Sequence, residues 1–204
     1  MTTTSPWLVV LRSGVLIEDP LSVVLGFLAR WRIDISDPSP SASFGEPDLR
    51  LANRGGARVS AAQIAAILQR RASIEQALEA IAPDASLSGE ASSVPWLPLR
   101  QLFDAFAEIP GVGFAKMTKA LHPKRPALIP MLDSIVQQYL ADDDPGVRAP
   151  FGRRALELVR GYKRDLDRNS AAVRAIRQEL AGRGYELTDV RILDLLILSV
   201  KAVA

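Results

Sequence analysis

The chain has 204 residues, 48% hydrophobic and 24% charged, which suits one globular domain or two small ones. It contains no cysteine and a single histidine, His122, which excludes disulfides, thiolate catalysis, cysteine-held clusters and a histidine-rich metal site. We therefore predict no metal or cofactor. The net charge is only +2, but residues 111–204 carry 16 Lys and Arg against 11 Asp and Glu. A basic C-terminal half is typical of a polyanion-binding surface and equally of an arginine-rich solvated one.

The apolar stretches of the chain are short. The longest, such as LSVVLGFLA and ILDLLILSV, fall well below the roughly 18 residues that a membrane span needs. The N-terminal segment lacks the early positive charges and the cleavage site of a signal peptide. We expect a cytoplasmic protein without a membrane partner.

The first elements are indicated by turn and capping residues. WLVVLRSGVLIE has the β-branched residues and central SG of a small β-hairpin, although its apolar alternation is poor. Asp19 followed by Pro20 matches an N-cap with proline at the first helical position, which predicts a helix over 20–32.

A longer helical region follows in the N-terminal half. Ser60 and Gln63 form a capping box, and apolar residues recur at helical spacing as far as Ile81, as two helices or one bent helix. Residues 34–48 and 83–98 are rich in proline and serine and are predicted to be loops. The second loop is the best internal boundary.

The C-terminal half is predicted to be helical throughout. Amphipathic patterns predict helices near 99–108, up to Leu121, from Asp133, over 148–167, over 170–181 and after the cap Thr188. The last of these is apolar on nearly all sides and is expected to be central and buried. We predict an all-α fold of eight or nine helices, with a small N-terminal hairpin where the strands form. It is either a single globular domain, 1–204, or two lobes, 1–94 and 95–204.

The segment IPGVGFAK, residues 109–116, has the form of a tight turn between two helices. Gly111 and Gly113 can adopt positive φ and allow close approach of another chain, while Val112 can pack into the core. Such a turn leaves N–H groups at the start of the second helix free to bind a phosphate. Between residues 111 and 127 there is no carboxylate, and there are four cations, Lys116, Lys119, Lys124 and Arg125. This pattern favours a phosphate-binding edge over a plain solvated turn.

The same stretch carries a resemblance. IPGVGFAKMTKAL followed by IPMLDSIV resembles the helix-hairpin-helix motif and catalytic aspartate of the helix-hairpin-helix DNA glycosylases, base-excision repair hydrolases that include endonuclease III. In that family the hairpin reads LPGVG, and the aspartate lies in a VDTHV-like segment at a similar spacing. Here Asp133 lies twenty residues past Gly113, in LDSIV. The resemblance covers residues 99–140, and over a wider range the chain is similar to an uncharacterised, mostly actinobacterial family.

The resemblance implies a function on duplex DNA, with Asp133 as the catalytic residue. An ionised carboxylate near C1′ would stabilise an oxocarbenium-like transition state and orient the attacking water. The base would first leave the stack for a pocket, for which Trp96 is a candidate stacking group. Bifunctional members carry a lysine two residues past the second hairpin glycine, where this chain has Ala115. The resemblance therefore implies base release without lyase activity.

Plain structural roles remain open for these residues. Asp133 after an apolar run is also a common helix N-cap, and His122 can meet the C-terminus of its helix. Arg54 and Arg58, around Gly55 and Gly56, form either a second anion-binding turn or a flexible connection. Three functions therefore remain open: a monofunctional DNA glycosylase, a non-catalytic DNA-binding module, and a helical scaffold or interaction protein with no nucleic-acid role.

Overall fold

The computed structural model describes residues 7–30 and 41–201. Over these ranges the protein is mostly α-helical, with one two-stranded sheet, so the all-α prediction is confirmed. The elements are β1 Val9–Val10, β2 Leu16–Ile17, α1 Pro20–Arg30, α2 Glu46–Arg54, α3 Ala61–Gln69, α4 Arg71–Glu79, α5 Trp96–Asp104, α6 Phe114–Leu121, α7 Ser134–Tyr139, α8 Phe151–Arg168, α9 Ser170–Gly182 and α10 Asp189–Lys201.

The small N-terminal hairpin is present. β1 and β2 pair antiparallel, with Val9 opposite Ile17, and a short 3-10 turn joins them. Asp19 accepts a hydrogen bond from Ser22 N at 3.1 Å, as expected of a residue that begins a helix. The end of the predicted 20–32 helix lies outside the described residues.

Helix α2 is not among the predicted elements. The predicted loop 34–48 is three residues too long at its C-terminal end, because α2 begins after Gly45. Asp48 accepts a hydrogen bond from Gly45 N at 2.8 Å, which closes the first turn of the helix. Proline at the second position of this helix is compatible with a helix start, since its missing N–H would have no partner there. The proline and serine content concealed this local signal.

The predicted helix starts and ends are mostly close to those observed. The capping box of Ser60 and Gln63 is formed, and the region it begins is divided into α3 and α4. Helix α5 begins at Trp96, inside the predicted loop 83–98, and ends at Asp104, before the predicted 108. At the other end of the chain, Thr188 accepts a hydrogen bond from Arg191 N and caps α10 as predicted.

The buried apolar residues form one cluster that includes residues from Val9 to Ile197. Helix α10 packs against α1, α7, α8 and α9, which explains why its apolar residues cover most of its circumference. Helix α5 packs along α8, and α6 packs against α2. Within residues 7–30 and 41–201, none of the helices combines the length and hydrophobicity needed to cross a bilayer.

Candidate functional site

The turn between α5 and α6 is anchored in the core. Ile109 and Val112 are buried, whereas Gly111 and Gly113 are exposed. Gly111 has φ +70°, and a Cβ at this position would lie 2.5 Å from the side-chain nitrogen of Gln63. The positive φ favours glycine at this position. Gly113 is extended, with φ −98°, so the positive φ considered for it is not adopted. The turn is therefore a fixed edge with an exposed backbone.

The N-terminus of α6 is open. Its N-cap is Gly113, which has no side chain to bind the first N–H groups, and the first turn contains no carboxylate. Lys116 is half-buried and donates to Gln63 Oε1 at 2.7 Å, and Lys119 is half-buried and forms no ion pair with another described residue. We call Gly111, Val112, Gly113, Lys116 and Lys119 the hairpin surface. It presents unpaired N–H groups beside two cations.

Two of the four predicted phosphate-binding cations are inside the protein, which corrects their assignment. Lys124 is 2% exposed and forms an ion pair with Asp48 at 2.7 Å. Arg125 is 1% exposed and donates to the carbonyls of Leu78 and Ile81 at the C-terminus of α4. The last carbonyls of a helix lack the usual N–H partner four residues on, and a buried guanidinium can donate to several carbonyls at once. Neither side chain is available to a DNA backbone.

Asp133 is the N-cap of α7. Its Oδ1 accepts hydrogen bonds from Ile135 N and Val136 N, both at 3.0 Å. The residue is half-buried, and its Oδ2 accepts no hydrogen bond from the residues that the structure describes. The capping role is therefore present, and one carboxylate oxygen remains outside it.

Thr118 connects Asp133 to the hairpin surface. The buried hydroxyl of Thr118 donates to Phe114 O at 2.8 Å, in the first turn of α6, and accepts from Leu132 N at 3.0 Å. Leu132 directly precedes Asp133. Two hydrogen bonds through Thr118 therefore link the first turn of α6 to the residue before Asp133. The two features belong to one rigid unit.

Trp96 does not lie beside this unit. It opens α5, at the opposite end from the hairpin, and donates to Ala91 O at 2.9 Å. The guanidinium of Arg160 lies over its ring at 5.3 Å. One ring face is therefore already occupied, which argues against Trp96 as the residue that stacks on an extruded base.

A buried polar cluster lies near Asp133, whose charge acts on Asp194. The sequence patterns did not indicate this cluster. It contains Asp194 and Arg191, whose carboxylate and guanidinium are 3.9 Å apart, and His122, which donates from Nδ1 to Ile129 O at 2.7 Å. The missed signal was an Arg and an Asp three residues apart in an otherwise apolar helix, since such residues are rarely buried without a reason.

The pKa values in this cluster move in opposite directions. Burial raises the pKa of Asp194 to about 7, with Arg191 opposing the shift and Asp133 adding to it. Burial lowers the pKa of His122 to about 4, with Arg191 acting in the same direction. His122 therefore lies at the C-cap of α6, as expected, but it is neutral at pH 7 and lacks the positive charge that would favour this position. Among the described residues, no three His, Asp or Glu side chains are placed to share a metal ion.

A second charged region joins the N-terminal hairpin to α8. Arg12 contacts Asp165 Oδ2 and Asp143 Oδ2, both at 2.5 Å. Arg168 binds Asp165 at 3.0 Å, and Arg164 binds Asp143. We call these five residues the Arg12 network. It borders an open cavity of about 440 Å³, but its arginines already have carboxylate partners.

Comparison with known proteins adds a family and no activity. No curated protein and no solved structure matches the chain. A family model described as a family of unknown function, DUF6308, matches residues 41–200, which include the hairpin surface, Asp133 and α10. The chain therefore belongs to this family of unknown function, DUF6308.

Proposed function

We propose that the protein binds duplex DNA through the hairpin surface. The observation that carries this proposal is the open N-terminus of α6, where an exposed glycine replaces a capping side chain and two lysines follow without a carboxylate. A phosphate at such a position receives hydrogen bonds from the N–H groups and is favoured by the helix dipole and the lysine charges.

The surrounding contacts support a pre-formed backbone clamp. Ile109 and Val112 hold the turn in the core, and Gln63 donates to Pro110 O at 3.1 Å while accepting from Lys116. Little ordering is required when a ligand arrives, so the binding free energy is not spent on folding the loop. Phosphate contacts carry no sequence information by themselves, so we expect binding to duplexes of any sequence.

Fluorescence anisotropy with a short labelled duplex tests the proposal. Wild-type affinity should fall steeply between about 50 and about 200 mM salt, because each bound phosphate releases counterions. Lys119→Glu should weaken binding and lower the slope of log K against log salt by about 0.9 for each phosphate that the variant no longer binds. Arg70→Glu is the matched control. Arg70 is exposed at the C-terminal end of α3, whereas Gln63, which contacts Lys116, lies in the first turn of that helix. No binding by the wild type at low salt would leave the scaffold function as the remaining candidate.

A second candidate function is release of a modified or damaged base by hydrolysis, with Asp133 as the catalytic residue. The observation that favours it is the half-buried carboxylate of Asp133, which has one unused oxygen and follows Leu132, the residue that Thr118 links to the first turn of α6. An ionised carboxylate in this position can stabilise positive charge on the sugar and orient water. Ala115, in place of a lysine, argues against a Schiff-base lyase step.

Base release is tested on duplexes containing uracil, alkylated or oxidised bases. Asp133→Asn should abolish formation of the abasic product while leaving DNA affinity unchanged, because asparagine also caps helices well. A wild type that binds DNA but produces no abasic site on any of these duplexes would favour the non-catalytic DNA-binding function.

A further inference from the structure

The turn between α2 and α3 is an ordered structure. Asn53 donates to Val59 O at 2.9 Å and accepts from Val59 N at 2.6 Å, so one side chain closes the turn. Ala57 and Val59 are buried, whereas the arginines and glycines of residues 54–58 are exposed. We call residues 54–58 the RGGAR turn. The flexible connection considered from the sequence is therefore not what these residues form.

Arg58 has an uncommon backbone conformation. Its φ is +54°, in the left-handed region that residues other than glycine seldom occupy. The turn already contains Gly56, with φ +78°, so a glycine at position 58 would also fit the backbone. An arginine in this conformation carries a conformational cost that a glycine would not.

The RGGAR turn is continuous with the hairpin surface. A Cβ on Gly56 would lie 3.7 Å from Lys119 Nζ, so the turn and α6 are in near contact. Gln63, just after the turn, binds both Pro110 O and Lys116 Nζ. The two glycine turns therefore flank one side chain and form a single surface.

The charge within the two segments that form this surface is of one sign, although the exposed Glu108 lies directly before the second segment. Residues 54–63 and 109–121 contain no Asp or Glu. Their four cations are Arg54, Arg58, Lys116 and Lys119. None of the four forms an ion pair with another residue in the described parts of the chain. A duplex presents a regular row of phosphates to such a surface, whereas an acidic protein segment offers carboxylates without a fixed repeat.

We propose that the RGGAR turn is a second contact for the DNA backbone, in which Arg58 binds a phosphate while the hairpin surface binds another. This inference rests on the DNA-binding function proposed above. Two separate contacts restrain the duplex more than one turn would. The bound DNA backbone would then run across the surface from α3 to α6.

The test uses the Arg58→Gly variant of the full chain and a short fluorescein-labelled duplex. Glycine relieves the left-handed backbone, so the melting temperature should equal or exceed that of the wild type. The salt slope of DNA binding should nevertheless fall by about 0.9, the value for one phosphate contact in duplex DNA. Arg70→Ala is the control, because Arg70 lies at a helix junction where glycine would be unsuitable. The salt slope of this variant should match that of the wild type.

The outcomes separate this inference from the proposed function. If the wild type binds and Lys119→Glu binds weakly while Arg58→Gly keeps the full salt slope, the second contact is wrong and the hairpin function stands. If Arg58→Gly and Arg70→Ala weaken binding equally, only net charge matters and the inference is overturned. Displacement of the duplex by polyglutamate at equal charge concentration would also overturn it, as would a wild type that does not bind DNA.

Discussion

The Arg12 network and the hairpin surface both contain basic side chains, but they differ in what surrounds them. In the Arg12 network, three arginines meet two aspartates, and the side chain of Asp165 is only 1% exposed. On the hairpin surface, Lys119 has no carboxylate within the segment, and α6 begins at a glycine. A count of basic residues in the sequence does not distinguish the paired arginines of the Arg12 network from the lysines of the hairpin surface.

This difference separates structural charge from charge available to a partner. A buried carboxylate needs cations and donors to offset its desolvation, and Asp165 has Arg12 and Arg168. A Cβ at Gly161 would overlap the carboxylate of Asp143, so α8 also leaves space for the network. Among the residues that the structure describes, the lysines of the hairpin surface have no carboxylate partners. The charges of this surface repel one another unless a polyanion neutralises them.

The largest effect should follow from removing Arg12. Arg12→Ala leaves Asp165 and Asp143 with one cation each, and we expect a loss of about 3 kcal/mol in the free energy of unfolding, measured in urea. Arg50→Ala is the control, because Arg50 is 71% exposed in its pair with Glu46 and should change stability by less than about 0.5 kcal/mol. Equal effects of the two variants would mean that the Arg12 network is no more than a set of surface pairs.

The next prediction concerns Asp194, a buried carboxylate with weaker partners than Asp165. It faces Arg191, Tyr162 and the like charge of Asp133, and its pKa is raised from 3.8 to about 7. Between these values the folded protein keeps a proton that the unfolded chain releases, so this contribution to stability is present at low pH and is lost as pH rises towards 7. His122, with its pKa lowered from 6.5 to about 4, contributes stability above pH 6.5 that is lost as pH falls towards 4.

Asp194→Asn isolates one of these opposing contributions. Relative to the wild type, the free energy of unfolding of the variant should increase as pH rises from about 4 to about 8, measured by urea denaturation at each pH. Asp84→Asn, at an exposed loop position, should run parallel to the wild type over the range. A constant difference between Asp194→Asn and the wild type would show that the pKa of Asp194 is not raised.

A smaller effect is expected at Asp133, a carboxylate that has a structural role close to the hairpin surface. Asp133→Ala removes the acceptor for Ile135 N and Val136 N and should cost about 1 kcal/mol of unfolding free energy. Asp133→Asn should cost only a few tenths, because asparagine is an equivalent N-cap. Thermal denaturation of both variants checks this, and equal losses would indicate that the charge of Asp133 matters to stability beyond the cap.

The sequence predicted features whose partners are near in the chain. The capping box of Ser60 and Gln63, the cap at Thr188 and the glycine turn at 111–113 all involve residues within four positions, and the structure contains each of them. The burial of Lys124 and Arg125 could not be predicted in this way. Their partners lie more than forty residues away, at Asp48 and at the C-terminus of α4, and composition alone left both in a basic run.

The same limit applies to the candidate site. The contact between Gln63 and Lys116 of the hairpin surface joins positions 53 residues apart, and the bridge of Thr118 to Leu132 joins positions 14 apart. Neither has a local signature. The motif therefore indicated where the glycines and cations lie in the chain, whereas the tertiary fold determined which cations remain at the surface and which turn lies beside them.

The smallest effect on stability is expected from adding a carboxylate to the hairpin surface, where the Arg12 network already has two. This variant is also the sharpest test of the comparison. Ala115→Glu places a carboxylate four residues before Lys119 on α6, a spacing at which opposite charges pair on a helix. Stability should rise by about 0.3 kcal/mol, helped by a negative charge near the helix N-terminus. DNA affinity should nevertheless fall, because the new carboxylate competes with phosphate for the N–H groups and Lys119. Ala115→Gln is the control for size, and its affinity should stay near that of the wild type. Equal loss of binding in both variants would show that shape, rather than unpaired charge, makes this surface fit DNA.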